Sequence, residues 1–325
     1  MKLKKFFSMA AIGLTAAAML ANCSACDDIL GEWDRPMPAA VTPSGSEAPS
    51  EPEEETIPGL LAGVFSVSAT EKVQFSQGNL QFQASTKTWR FAENQYDYVG
   101  DAVGNTTSTG RETQSDWIDL FGWGTAGHSF ASGYGTLYQP WETDNTDPVA
   151  TKYGPSGTSN GLYGDYAQGD WGTNMGTGWR TLTNAEWTYL FQTRTDAANK
   201  FGYATVAGKN GIIIVPDEFT DPMKNGGSNA FVGSTTTGFG ANVYTEDNWT
   251  ALESAGCVFL PAAGYRDGTT VNVAGSEGIY WSSSPWPDNS DAAYAVGFGS
   301  DHLSPGFVIR KYGYPVRLVR DVAAE

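Results

Sequence analysis

Gly278-Ile279-Tyr280-Trp281-Ser282-Ser283-Ser284 and Tyr314-Pro315-Val316-Arg317-Leu318-Val319-Arg320 are the stretches that decide how this chain folds. Both are apolar and patterned as strands. Between them, Asp288 to Arg310 contains no Lys, Glu, Gln, Met or Trp, yet it mixes Asp, His, Gly, Ala, Phe, Val and Ile. A stiff frame around a chemically mixed insert is the pattern of a display surface. Within the insert, Tyr294, Val296 and Phe298 alternate with Ala293, Ala295, Gly297 and Gly299. Period two puts the large side chains on a core face and the small ones opposite. The small-residue face, continued by Asp301, His302, Phe307 and Ile309, is the expected ligand platform, with Trp286, Asp288 and Asn289 at its rim. The competing expectation is that this Gly-rich strand packs under the long Gly122 to Gly178 loop.

Outward from this frame, short strands are expected over Val64–Val67, Val73–Phe75, Asn79–Gln83 and Trp89–Phe91, where apolar and polar residues alternate. Gly211–Val215 reads as a buried central strand and Cys257–Leu260 as another. Asp116–Phe121 reads as a helical turn stopped by Gly122. The clearest helix starts at Thr183, because Thr183-Asn184-Ala185-Glu186 spells a capping box, with Trp187, Leu190 and Phe191 on one face. A second runs from Glu246 to Ala255, capped by Thr245 and ended by Gly256. The expected class is α+β: small twisted antiparallel sheets, two short helices and long ordered loops.

Trp179-Arg180-Thr181-Leu182-Thr183-Asn184-Ala185-Glu186-Trp187 resembles the WRLPT-x-x-E-W signature of the formylglycine-generating-enzyme type of C-type-lectin fold. Phe259 to Arg266, Gly278 to Ser283 and Val316 to Arg320 resemble the closing half of the Fibrobacter succinogenes major paralogous domain. Phe75 to Leu80 and Asp119 to Gly124 are similar to the N-terminal half of surface lipoproteins of that type. The resemblance implies a C-type-lectin-like fold over residues 60–325, with the strand near Phe65 or Phe75 paired beside Val316 to Arg320. It also implies Trp179 and Trp187 in the core and Arg180 donating to neighbouring carbonyls. Enzymes of the superfamily use cysteines near the end of the domain. Leu318 stands here instead, and Cys257 lies in an apolar strand, so no catalytic role is carried over. The residue set of Asp288 to Arg310 also resembles the variable segment of diversity-generating retroelement proteins, in which adenine-directed changes at Asn codons cannot yield Lys, Glu, Gln, Met or Trp. Lys311 departs from that rule.

At the other end, Lys2, Lys4 and Lys5 precede the short apolar run Phe6 to Ala21, as in a secretory signal over residues 1–22. Leu20-Ala21-Asn22-Cys23 resembles a lipobox, which makes Cys23 the expected lipidation site and Cys26 the alternative. Asp27 and Asp28 beyond it resemble a surface-export signal. Residues 23–59 form an acidic, Pro-rich tether that buries too little apolar area to fold. The chain carries a formal charge of -17, which argues against a nucleic-acid partner. The His content, His128 and His302, forms no cluster with ligand spacing, so no metal or cofactor is expected. Asp288, Asn289 and Asp291 supply oxygens that suit calcium only weakly, since the sugar-binding lectin motif is missing. The expected function is a lipid-anchored outer-membrane protein, facing outside or periplasm, that binds a protein or glycan without chemistry. The alternatives are a structural adhesin or pilus-type subunit, and a carbohydrate-active enzyme using Asp165 or Asp170.

Overall fold

A computed structural model of the chain describes residues 57–83, 85–86, 88–106, 115–123, 170–224, 229–267, 270–288, 292–310 and 312–323. The expectations for the signal, for Cys23 and Cys26, for the tether up to residue 56, and for Asn289, Asp291 and Asp165 fall outside these residues. Ile57 packs half-buried against a core cluster, and Gly59 O accepts from Gln77 N, so ordered contacts begin ahead of Leu60.

The outermost strands close one sheet. β1 (Phe65–Ser66), β2 (Lys72–Phe75), β16 (Leu318–Asp321) and β6 (Trp179–Thr181) pair antiparallel in that order. Val319 stands opposite Phe75 on one side and Arg180 on the other, the expected meeting of first and last strands. Alternation explains why β16 is central: Leu318 enters one core cluster and Val319 another, so both its faces are buried. A second sheet has the order β10 (Val258–Pro261), β8 (Lys209–Ile214), β7 (Phe201–Val206), β9 (Asn242–Tyr244), antiparallel except for β7 with β9. Ile212 and Ile214 face the first cluster, while Ile213 and Val215 face a third. β8 is therefore the buried central strand that its unbroken apolar run requires.

Smaller sheets complete the domain. β4 (Thr88–Phe91), β3 (Leu80–Gln83) and β5 (Trp117–Ile118) form one, and β11 (Tyr265–Asp267) pairs with β12 (Thr270–Asn272). β5 corrects the helical turn expected over Asp116–Phe121. Ile118 pairs with Phe82 and is buried, so tertiary strand pairing overrides a local pattern too short to settle the matter. The last sheet is β13 (Gly278–Pro285), β14 (Ala292–Phe298) and β15 (Leu303–Ile309).

Among the described residues, helices are few and short. α1 spans Val103–Thr106. α2 (Asn184–Thr188) carries the expected capping box: Thr183 Oγ1 accepts from Glu186 N and Glu186 Oε2 accepts from Thr183 N. It continues as a π-type turn over Tyr189–Thr193, burying Leu190 and Phe191. α3 (Glu246–Ser254) is capped by Thr245 and stopped by Gly256, whose φ of 87° favours glycine. The protein is thus α+β, built mostly of small antiparallel sheets. Arg180 is corrected in its partners. It donates to the carboxylates of Glu186 (2.9 and 2.6 Å) and Asp321 (2.9 and 2.6 Å), because α2 and the end of β16 bring both beside it.

Asp119 pins α1 to the segment after β5. Its carboxylate accepts from Asn105 Nδ2 at 2.8 Å and from Val99 N at 2.7 Å, with no cation bonded to it among the described residues. Burial pushes its carboxyl up to about 6. The folded state therefore holds this proton more tightly than the unfolded chain. The stability so gained is complete below about pH 4 and is lost as pH rises through about 6. On going from pH 7 to pH 5, Asp119 is expected to add about 1.3 kcal/mol to the unfolding free energy. Urea unfolding of wild type and Asp119→Asn at both pH values checks this, and parallel pH dependences would contradict it.

Candidate functional site

The exposed end of the β13–β14–β15 sheet is made by a local irregularity. Pairing of β13 with β14 runs regularly to Trp281 opposite Ala295, then shifts before Pro285 meets Ala293. The serines hold this bulge: Ser282 Oγ donates to Tyr294 O at 2.9 Å and accepts from Ser284 N at 3.1 Å. A bulge re-aims the strand that carries it. Here Trp286 folds back, with its ring centroid 3.9 Å from Phe307 and 5.0 Å from Tyr294. Phe307 is 55% exposed and neighbouring Ile309 42%, while Trp286 and Tyr294 are half-buried. Large apolar side chains gathered at a surface are costly to hydrate, and they mark an interaction site more often than scattered ones do.

The register corrects the expected platform. Phe307 stands opposite Tyr294 and Ile309 opposite Ala292, so both share the face of Tyr294, Val296 and Phe298. That face is core at its Val296 and Phe298 end and emerges only at Tyr294. Ala293 and Ala295, expected on display, are buried in the second cluster beside Trp123, Trp171 and Trp281. Trp123 and Trp171, from the described ends of the Gly122–Gly178 stretch, share this cluster with both alanines. Gly299 is buried too, since a Cβ there would meet the His302 ring at 2.6 Å. Gly297 is half-buried and keeps space, as does Gly306, where a Cβ meets nothing within 4 Å.

Asp301 and His302 lie in the turn beyond Leu303, at the other end of β15. Leu303 to Phe307 alone spans about 13 Å at ~3.3 Å per residue. The expected residues are therefore split: Trp286, Phe307 and Ile309 come together, with exposed Asp288 following Trp286, while Asp301 and His302 stand apart. Both are exposed and bond each other at 2.9 Å, and this hydrogen bond holds the Asp301 carboxyl below its usual range. Tyr294 is the member missed from sequence. Its phenol tolerates half-exposure, which alternation alone does not reveal.

Asp170, the residue suspected of catalysis, caps the 3₁₀ turn Trp171–Met175 and accepts from Gly172 N and from Thr181 N and Oγ1. Cys257 is buried in the third cluster, and burial pushes its thiol up. Among the described residues, His, Cys, Asp and Glu form no group of three placed to hold a metal ion. No family model matches the chain, and no curated protein or solved structure matches it.

Proposed function

We propose that this chain is a lipid-anchored outer-membrane protein, with Cys23 or Cys26 as anchor, whose C-type-lectin-like domain captures a protein or glycan at the cell exterior without chemistry. The lectin-like assignment is supported by the pairing of β2, β16 and β6 around the Trp179–Trp187 motif. The observation that carries the binding reading is the exposed cluster of Trp286, Tyr294, Phe307 and Ile309, held on a rigid three-stranded sheet. A preformed apolar cluster binds with little ordering cost. Variation within Asp288 to Arg310, as in retroelement-diversified proteins, would alter this cluster while leaving the buried Tyr280 and Trp281 in place.

The double variant Phe307→Asp/Ile309→Asp tests the reading. Screened as the full chain on a glycan array and an extracellular-protein array, it is expected to lose the wild-type hits by about 30-fold or more in affinity, the scale of one hot-spot residue. Its circular dichroism should not change, because both side chains already face solvent. A folded double variant that keeps every hit would remove the site.

The structural-subunit reading needs a free sheet edge. Among the described residues, β15 is an edge strand, but Pro305 sits in its middle opposite Val296. Proline has no N–H to donate, which blunts the edge against strand addition. This favours recognition by side chains over assembly through the backbone.

A further inference from the structure

A second concavity lies apart from the aromatic cluster. The described residues line a cleft of about 1450 Å³, walled by the β1–β2 turn, Thr181 to Glu186, Pro216 to Glu218 and the residues after β16. Neither Trp286, Tyr294, Phe307 nor Ile309 belongs to it. Its size exceeds the ~300–1,000 Å³ common for small-molecule pockets and suits several residues of an extended chain.

The polar groups of the cleft define what it accepts. Its described lining holds six carboxylates and two cations, Lys72 and Arg180. Arg180 is occupied by Glu186 and Asp321. Asp217 accepts from Ser66 and lies 3.6 Å from Arg194 and 3.7 Å from Lys200. Asp170 differs from these. Its Oδ1 takes all of its hydrogen bonds, from Gly172 N (2.9 Å), Thr181 N (2.8 Å) and Thr181 Oγ1 (2.6 Å), and its Oδ2 takes none among the described residues. Desolvation raises this carboxyl above its usual range, against the lowering effect of its hydrogen bonds and of the Arg180 charge. Ser283, on the same wall, gives its N–H to Leu182 O, while its hydroxyl has no partner among the described residues.

Strand addition is blocked along the nearby edge of β1. Ser66 N donates to Asp217 Oδ2, and Asp217 N donates to Val64 O. Recognition in the cleft therefore falls to side chains of the ligand. Asp170 has no ion pair among the described residues, and the guanidinium of Arg180 that acts on it is already shared by Glu186 and Asp321, so the site favours a ligand that brings positive charge. A neutral glycan would satisfy the hydroxyl of Ser283 and leave that charge unmet.

We propose that this cleft binds an extended peptide through its Lys or Arg side chains, with Asp170 Oδ2 accepting one cationic group beside the Ser283 hydroxyl. Glu71 and Glu218, also on the lining, add a field that draws such a peptide in.

The test is fluorescence anisotropy of the full chain with a labelled, end-blocked Lys-Ala repeat hexapeptide. The matching Gln-Ala peptide and a neutral hexasaccharide serve as competitors. The Lys peptide should bind, weaken as salt rises, and outcompete both neutral probes. Asp170→Asn should weaken it at least ~10-fold, the loss of a charge-assisted contact. This variant keeps its amide oxygen for Gly172 and Thr181, so the fold should persist. Ser283→Ala combined with Glu218→Gln provides a second reading if Asp170→Asn fails to fold, and should weaken binding about 5-fold. Phe307→Asp/Ile309→Asp should leave this binding unchanged, which separates the cleft from the aromatic cluster. No binding, equal binding of the Gln peptide, displacement by the saccharide, or indifference to these cleft variants would overturn the proposal.

Discussion

Replacing Trp281 by alanine should destabilise the domain more than any other single change to the β13–β14–β15 sheet, by about 3–5 kcal/mol. Trp281 is fully buried and stands opposite Ala295, whose small side chain leaves room for the indole. Its ring meets Tyr314 edge-on at 4.7 Å, and its Nε1 donates to Phe121 O at 2.6 Å. Its own carbonyl accepts from Trp187 Nε1 at 3.3 Å, which ties α2 to the sheet. Truncation leaves a cavity among buried neighbours and removes one of the two hydrogen bonds to the Phe121 carbonyl, which keeps its bond from Tyr314 N. Against a total stability of about 5–15 kcal/mol, the variant stands near the limit of folding. Trp286→Ala provides the contrast. It removes a half-buried surface ring and should cost no more than about 1.5 kcal/mol. Urea denaturation of both variants checks the difference. Similar losses in the two would mean that Trp281 is not the joint between the sheet, α2 and the β5 segment.

The sequence carried much of this arrangement in its local chemistry. The unbroken apolar run of β8 announced a strand covered on both sides, and Thr183 with Glu186 marked the start of α2. The faces of β14 were harder to read. Alternation states which side chains share a face, but not what covers the other one. Ala293 and Ala295 share one buried cluster with Trp123, Trp171 and Trp281, and the first two of these tryptophans are distant in sequence. Register likewise decides that Phe307 lies with Tyr294, and register depends on the turn between β14 and β15. The emergence of the aromatic cluster depends on the Ser282–Ser284 bulge, and a run of serines gives no sequence-level sign of one. Asp170 and Ser283 meet one cleft only because β6 and β13 are neighbours.

Glu186 is where local and long-range order coincide, and its replacement by alanine should cost about 3 kcal/mol. One carboxylate serves both jobs. It accepts from Thr183 N at 2.7 Å and Thr183 Oγ1 at 2.8 Å, closing the capping box, and from Arg180 at 2.6 and 2.9 Å. Loss of the cap alone is worth about 1 kcal/mol. The remainder comes from Arg180, which is left with Asp321, whose side chain is 64% exposed. Removing Asp321 should matter far less, under about 1 kcal/mol, because water screens an exposed partner. Glu186→Gln should fall between the two, since the amide oxygen keeps a capping acceptor but carries no charge for the guanidinium. Thermal or urea unfolding therefore has to rank the losses as Glu186→Ala, then Glu186→Gln, then Asp321→Ala. If Asp321→Ala proved as damaging as Glu186→Ala, the closure of the domain would rest on the exposed half of the Arg180 network. The strand pairing of β6 with β16, rather than the cap of α2, would then be the step that fixes the chain's ends.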